Sequence, residues 1–345
     1  MEKYVDYAVK GTRELLAIDS PSGFTDGAIR YLDSEFSNMG FKTKITVKGG
    51  LLVELGGDTC DEGALLLEAH TDTLGCMVAE VKSNGRLRLT NLGGMRAENA
   101  ECENARVYTR DGNVIDATLQ LINPSVHVNT SYSDVKRSFD TTELVLDEDV
   151  NTADEARALG IEVGDVVAFE PRTCVTSSGY IKSRFLDDKL SCGILLGIAK
   201  MVSEKRIVLN RKTYVHITIY EEVGHGGSSS VPADVTEAIS VDMGCVGTGL
   251  NCTEKQVSIC VKDSHGPYNY VLVTRLVNAA KNAGADYALD VYPSYGSDVE
   301  ATLSAGYDLK HGLIGPGVYA SHGYERSHID GVRNTMLLLS AFLSE

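Results

Sequence analysis

Tryptophan is absent from the 345-residue chain, proline occupies 7 positions, and no apolar run approaches the length of a bilayer crossing. The longest uninterrupted apolar stretches, such as Ala64–Leu67, are a handful of residues, against the roughly 20 that a transmembrane helix needs. A helical membrane span is therefore excluded. The eight cysteines include no CxxC pair, and the closest, at 245, 252 and 260, are 7 and 8 residues apart. That spacing excludes the common zinc and dithiol motifs and predicts reduced thiols, most of them in the core. Basic residues are also in deficit. Thirty-two Lys and Arg against 48 Asp and Glu leave a formal charge of −16, which opposes attraction to nucleic acid or anionic lipid. The opening MEKYVDYAVKGTRELLAIDS lacks the basic and apolar regions of a secretory signal, so a cytoplasmic protein is expected.

What is present is the composition of an ordinary globular protein, 43% hydrophobic and 23% charged. The length suggests roughly two domains, or one large core carrying an insertion. Val5, Ala8, Val9, Thr12 and Leu15 recur at helical spacing, and a second helix is predicted between an N-cap at Thr25 and a stop at Gly40. Strands are expected at Phe41–Val47, Leu51–Leu55 and Ala64–Ala69. From residue 74 to 169 the texture changes to short alternating runs, with Asp111–Gly112 as a hairpin signal. After Tyr180 the helix and strand alternation returns, with helices over Asp188–Ser203, Tyr268–Ala283 and Val332–Leu343. The fold class predicted is α/β, a mixed sheet flanked by helices. One domain of residues 1–73 and 170–345 is interrupted by a small β-rich domain of residues 74–169.

Acidic and imidazole side chains gather at the ends of the predicted strands. ALLLEAHTD delivers His70 and Asp72, LDDK places Asp187 and Asp188 before a helix, YEEVGHGG carries Glu221 and Glu222, and SVDMG carries Asp242. In open α/β sheets ligands bind at the carboxyl ends of the strands, so these residues are expected to converge. Pooled carboxylates are costly without a cation, and a mixed His and carboxylate set suits zinc, cobalt or manganese. His216, alternating with Val215 and Ile217, reads as a packed or hydrogen-bonded core residue, and Asp188, which could cap the following helix, as a structural group or one that supports a ligand.

These segments, with the final ERSHID, resemble the M42 family of metallo-aminopeptidases, the glutamyl and tetrahedral aminopeptidases. The resemblance runs through most of the chain, including the β-rich insertion, which it identifies as a dimerisation and lid domain. It implies two divalent metal ions per chain, zinc first and cobalt or manganese as alternatives. His70 and Asp242 are then ligands of one ion, Glu222 and His328 of the other, and Asp187 bridges them. Glu221 becomes the general base, and Asp72 the acceptor that orients His70. The implied activity is hydrolysis of N-terminal residues from short peptides, in a homo-oligomer built from dimers up to a dodecamer.

The chain departs from the family pattern at Thr73, at Lys189 and in the SHGYERSHID setting of the last histidine. His322, six residues before His328, is the alternative ligand, and Tyr295–Asp298 a candidate pocket loop. Other activities weighed are a metal-dependent deacylase or carboxypeptidase, a carboxylate glycosidase and a non-catalytic metal binder. The last has no use for Glu221.

Overall fold

The computed structural model describes residues 1–344. The chain divides into two units, Met1–Asp72 with Arg172 onward, and Thr73–Pro171. The first unit opens with helices α1 (Glu2–Leu16) and α2 (Asp26–Asn38) and strands β1 (Lys42–Ile45), β2 (Leu51–Gly56) and β3 (Ala64–His70). The second holds β4 (Gly75–Val81), β5 (Leu87–Leu92), the single turn α3 (Ala97–Ala100), β6 (Asn104–Tyr108), β7 (Val114–Leu121), β8 (Thr142–Leu146), α4 (Ala153–Ala158) and β9 (Val166–Phe169). The first unit resumes with β10 (Cys174–Val175), β11 (Tyr180–Ser183), α5 (Leu186–Ser203), β12 (Thr213–Thr218), β13 (Val235–Val241), β14 (Gly244–Val246) and β15 (Val257–Lys262). It closes with α6 (Tyr270–Ala283), β16 (Tyr287–Val291), α7 (Asp298–Ser304), β17 (Lys310–Tyr319), β18 (Glu325–His328) and α8 (Ile329–Phe342).

The first unit is built on a 12-stranded mixed sheet. Its centre is the parallel run β12, β3, β13, β17, while β1 and β2 on one side and β15, β18 and β11 on the other pair antiparallel. Strands β3 and β12 are buried along their whole length, so they read as continuous apolar runs, as strands covered on both faces do. The second unit is a closed barrel in the order β4, β5, β8, β7, β6, β9. The expected hairpin is there, with Tyr108 opposite Val114 across the Asp111–Gly112 turn. Its small α4 is fixed by a capping box between Thr152 and Glu155. No helix among the described residues is long and apolar enough to cross a membrane.

Two packing features position the site. Helix α5 is buried from Leu186 to Ala199, and α1 reaches it closely at glycines. A Cβ on Gly193 would lie 2.0 Å from Thr12 Oγ1 and 2.7 Å from the Ala8 carbonyl oxygen. Strand β17 runs KHGLIGPGVY, and at Gly315 a Cβ would sit 1.3 Å from the Asp242 carbonyl oxygen. These glycines are therefore contact requirements. Gly193→Ala is expected to lower stability by about 1–3 kcal/mol through overpacking, measured as a fall in the urea midpoint, and an unchanged midpoint would contradict the close contact.

Candidate metal centre

The centre is assembled where the parallel strands stop. Strand β3 ends on His70, β12 leads into Glu221 and Glu222, β13 into Asp242, and β17 through Ala320 and Ser321 into His322. The first turn of α5 adds Asp187 and Asp188, joined by a cis peptide. Phe185, Tyr220, Ala320 and His322 have φ of 67°, 71°, 60° and 63°, a region that L side chains resist and that clusters at functional sites.

Asp187 lies between two imidazoles. Its Oδ1 is 3.0 Å from His70 Nε2 and its Oδ2 is 3.6 Å from His322 Nε2. Glu222 Oε2 is 3.6 Å from the same His322 nitrogen, and Glu221 Oε2 is 3.6 Å from His70 Nε2. Two sets of three follow, His70 with Asp188 and Asp242, and Asp187 with Glu222 and His322, each offering ligand atoms within 4.8 Å of one another. His70 Nδ1 donates to the Asp72 carbonyl at 2.9 Å, which leaves the Nε2 lone pair facing Asp187.

The electrostatics fit divalent cations. Burial, then Asp242, raises the Asp188 carboxyl well above the usual range, and burial, then Asp187, does the same to Glu222. Burial raises Glu221 too, and burial with Asp187 pushes Asp242 to about 7. Burial by itself would lower the His70 imidazole, but Glu221 and Asp187 hold it well above its ordinary value. Asp187 has the opposite balance: burial would raise it, and the hydrogen bond and charge of His70 keep it low. Asp188 Oδ1 is buried with no hydrogen-bond partner. So many carboxylates with one orphaned oxygen form a donor set that a cation completes.

His70, Asp187, Glu221, Glu222 and Asp242, all expected at the site, are brought together. His328 is not. It ends β18 and caps α8, where Nδ1 accepts the Asp330 N–H at 3.0 Å and Nε2 donates to the Ser178 carbonyl at 2.9 Å. Both nitrogens are used, so no lone pair remains for an ion, and His322 stands where the second histidine was expected. Asp72 is the acceptor beside His70 that was expected, through its carbonyl oxygen, with its Oδ1 3.6 Å from the same ring nitrogen. Its carbonyl orients His70, while its carboxylate accepts the N–H of Glu221 at 3.1 Å and of Glu222 at 3.4 Å and the Ser22 hydroxyl.

Asp188, expected beside the site, joins it, and Glu325 was not singled out in the sequence. Asp188 accepts the His70 N–H at 3.3 Å and faces Asp242. Glu325, inside the ERSHID segment, is buried and accepts the N–H of Asp187 and of His322. His216 is a core residue, its Nδ1 3.1 Å from Glu68 Oε1. In the candidate pocket loop, the Tyr295 hydroxyl donates to the Met243 carbonyl at 2.9 Å, beside Asp242.

Residues 49–338 match the model of the M42 glutamyl aminopeptidase family. The chain belongs to that family. YhfE of Bacillus subtilis (strain 168), which bears a provisional aminopeptidase name, is 42% identical over 327 residues, covering 95% of this chain and 94% of its own. An aminopeptidase from the archaeon Desulfurococcus kamchatkensis shares the fold, with a TM-score of 0.87 at 19% identity, over 99% of this chain and 95% of that one. The TET1 peptidase of Pyrococcus horikoshii, described as assembling into a tetrahedron or a large octahedral shell, aligns with a TM-score of 0.84 at 21% identity, over 98% and 99% of the two chains. Membership of the M42 family makes the chain a peptide-bond hydrolase.

Behind the centre, α7 carries two further buried acids. Burial, then Glu68, pushes Asp298 to about 7, and burial, then Asp263, pushes Glu300 to about 8. Both lie above their ordinary values, so the native M42 chain keeps protons that the unfolded chain gives up near pH 4, and stability falls as pH rises between about 4 and about 8. Glu300→Gln should reduce that slope, measured as urea midpoints across the interval, and an unchanged slope would contradict the assignment.

Proposed function

We propose that this M42 chain removes N-terminal residues from short peptides with two divalent ions, zinc first, and Glu221 as general base. The observation that carries this reading is the position of Asp187, with one carboxylate oxygen towards His70 Nε2 and the other towards His322 Nε2. A carboxylate so placed would be available to two ions, one on each oxygen. In this reading His70 and Asp242 hold one ion with Asp188 beside them, Glu222 and His322 hold the other, and Asp187 is common to both.

The ions, when bound, supply Lewis acidity that polarises the scissile carbonyl and makes water easier to deprotonate. The chain supplies the proton handling. Glu221 adjoins the ligand Glu222 in the turn after β12, and its Oε2 is 3.6 Å from His70 Nε2, within reach of a water at the centre. It takes the water's proton and returns it to the leaving amine. Asp72 fixes the turn through the backbone of both glutamates, which holds the base and the ligand in register. An acidic centre also favours the cationic amino terminus of a peptide, which supports an aminopeptidase over a carboxypeptidase. The likeness to the TET1 assemblies supports a closed oligomer, with the barrel as its dimerisation domain.

Glu221→Gln should keep both ions while kcat falls by about 10²–10⁴-fold, read by metal analysis and aminoacyl-anilide hydrolysis, and near wild-type turnover would contradict the base assignment. Substituting the two histidines separates the ligands. His322→Ala should lose one ion per chain and His328→Ala should keep both, and the reverse pattern would restore His328. Chelation should abolish release from unblocked peptides and leave N-blocked ones uncut throughout. Activity that survives complete metal removal would sink the two-metal reading.

A further inference from the structure

Glu325 opens β18 opposite Ser183 and is 2% exposed. Its Oε2 accepts the N–H of Asp187 at 3.1 Å, and its Oε1 accepts the N–H of His322 at 3.1 Å. One side chain thus ties together two segments that lie 138 and 3 residues from it in sequence. Both of those segments are strained. Phe185 at φ 67° precedes the Asp187 turn, and Ala320 and His322, at φ 60° and 63°, form the other. Left-handed conformations of L residues persist only where the surroundings hold them, and Glu325 grips the backbone of both turns.

The choice of a carboxylate at this place is informative. Glu325 is buried and faces the Asp187 carboxylate, and burial with that neighbour raises its carboxyl well above the usual range. A neutral residue would avoid the repulsion. Gln has a single acceptor oxygen, however, and its amide NH2 only donates, so it can serve one of the two N–H groups and must confront the other with a donor. Among side chains of this length, only Glu receives both.

We infer that Glu325 is a positioning residue that sets the spacing of Asp187 and His322, and through them the affinity of the second ion. Glu325 belongs to neither set of clustered ligand atoms, and each of its oxygens is turned to a backbone donor. It acts on where the Asp187 carboxylate and the His322 ring are held, 3.6 Å apart at Oδ2 and Nε2. The first ion shares Asp187, but its other ligands, His70 and Asp242, accept nothing from and donate nothing to Glu325, so it loses less than the second ion when Glu325 is changed. This inference rests on the two-metal reading proposed above.

The test is zinc titration of the full-length protein against a competing chelator, which resolves the affinity of each ion separately. Glu325→Gln should fold, bind the second ion about 10–100-fold more weakly, the usual consequence of losing an outer hydrogen bond to a ligand, and lose clearly less affinity for the first, which shares only Asp187 with it. General loosening of the structure would weaken both ions to the same extent, and that result overturns the positioning role. A variant that binds both ions with wild-type affinity also overturns it, while leaving the two-metal reading in place. A wild-type chain that binds no second ion ends both. Should Glu325→Gln not fold, Glu325→Asp keeps two acceptors on a shorter arm. It should then show the same selective loss of the second ion, and unchanged affinities there overturn the inference.

Discussion

The structure depends on one electrostatic constraint, the burial of many carboxylates around two imidazoles. Asp187, Asp188, Glu221, Glu222, Asp242 and Glu325 meet near His70 and His322, and all but Asp187 are pushed above the ordinary carboxylate range. Desolvation and mutual repulsion make such a set expensive. Asp187 escapes because an imidazole lies towards each of its oxygens. Such a set is what a cation would offset, and the remaining features of the centre are ways of holding the charges in place.

The holding is done largely by backbone donors on buried acids. Asp72 accepts the N–H groups of Glu221 and Glu222, and Glu325 those of Asp187 and His322. Two acids therefore fix the backbone of four residues of the centre from three distant parts of the chain. Packing supplies the rest. Lys189 donates to the Leu15 and Ile18 carbonyls at 3.1 and 2.6 Å, anchoring the start of α5 to the end of α1. Gly315 lets β17 pass hard against the carbonyl of Asp242.

Much of this was legible in the sequence. Continuous apolar runs ending in His or acid marked β3 and β12, and helical periodicity marked α1, α5 and α8. The placement of His322 rather than His328 beside Asp187 has a specific origin. Strand β17, KHGLIGPGVY, contains three glycines and a proline and shows no alternation, because its close neighbours leave no room for side chains at Gly315 and Gly317. A reader who misses that strand has no strand end to place at His322, and the histidine of ERSHID takes its position. Glu325 was hidden for a related reason, since its partners are backbone N–H groups of turns whose left-handed residues, Phe185, Ala320 and His322, are not glycines. Asp188 looked like a helix cap because Asp commonly is one, and only the fold shows it facing Asp242.

The central claim, that Asp187 joins two ions, is tested most directly by anomalous diffraction at the zinc edge from crystals of the zinc-loaded protein. The account predicts two peaks, one on either side of Asp187, the first within ligand distance of His70 and Asp242 and the second within ligand distance of Glu222 and His322. His328 should still be bonded to Ser178 and Asp330. A single peak, or a second peak at His328, would contradict it.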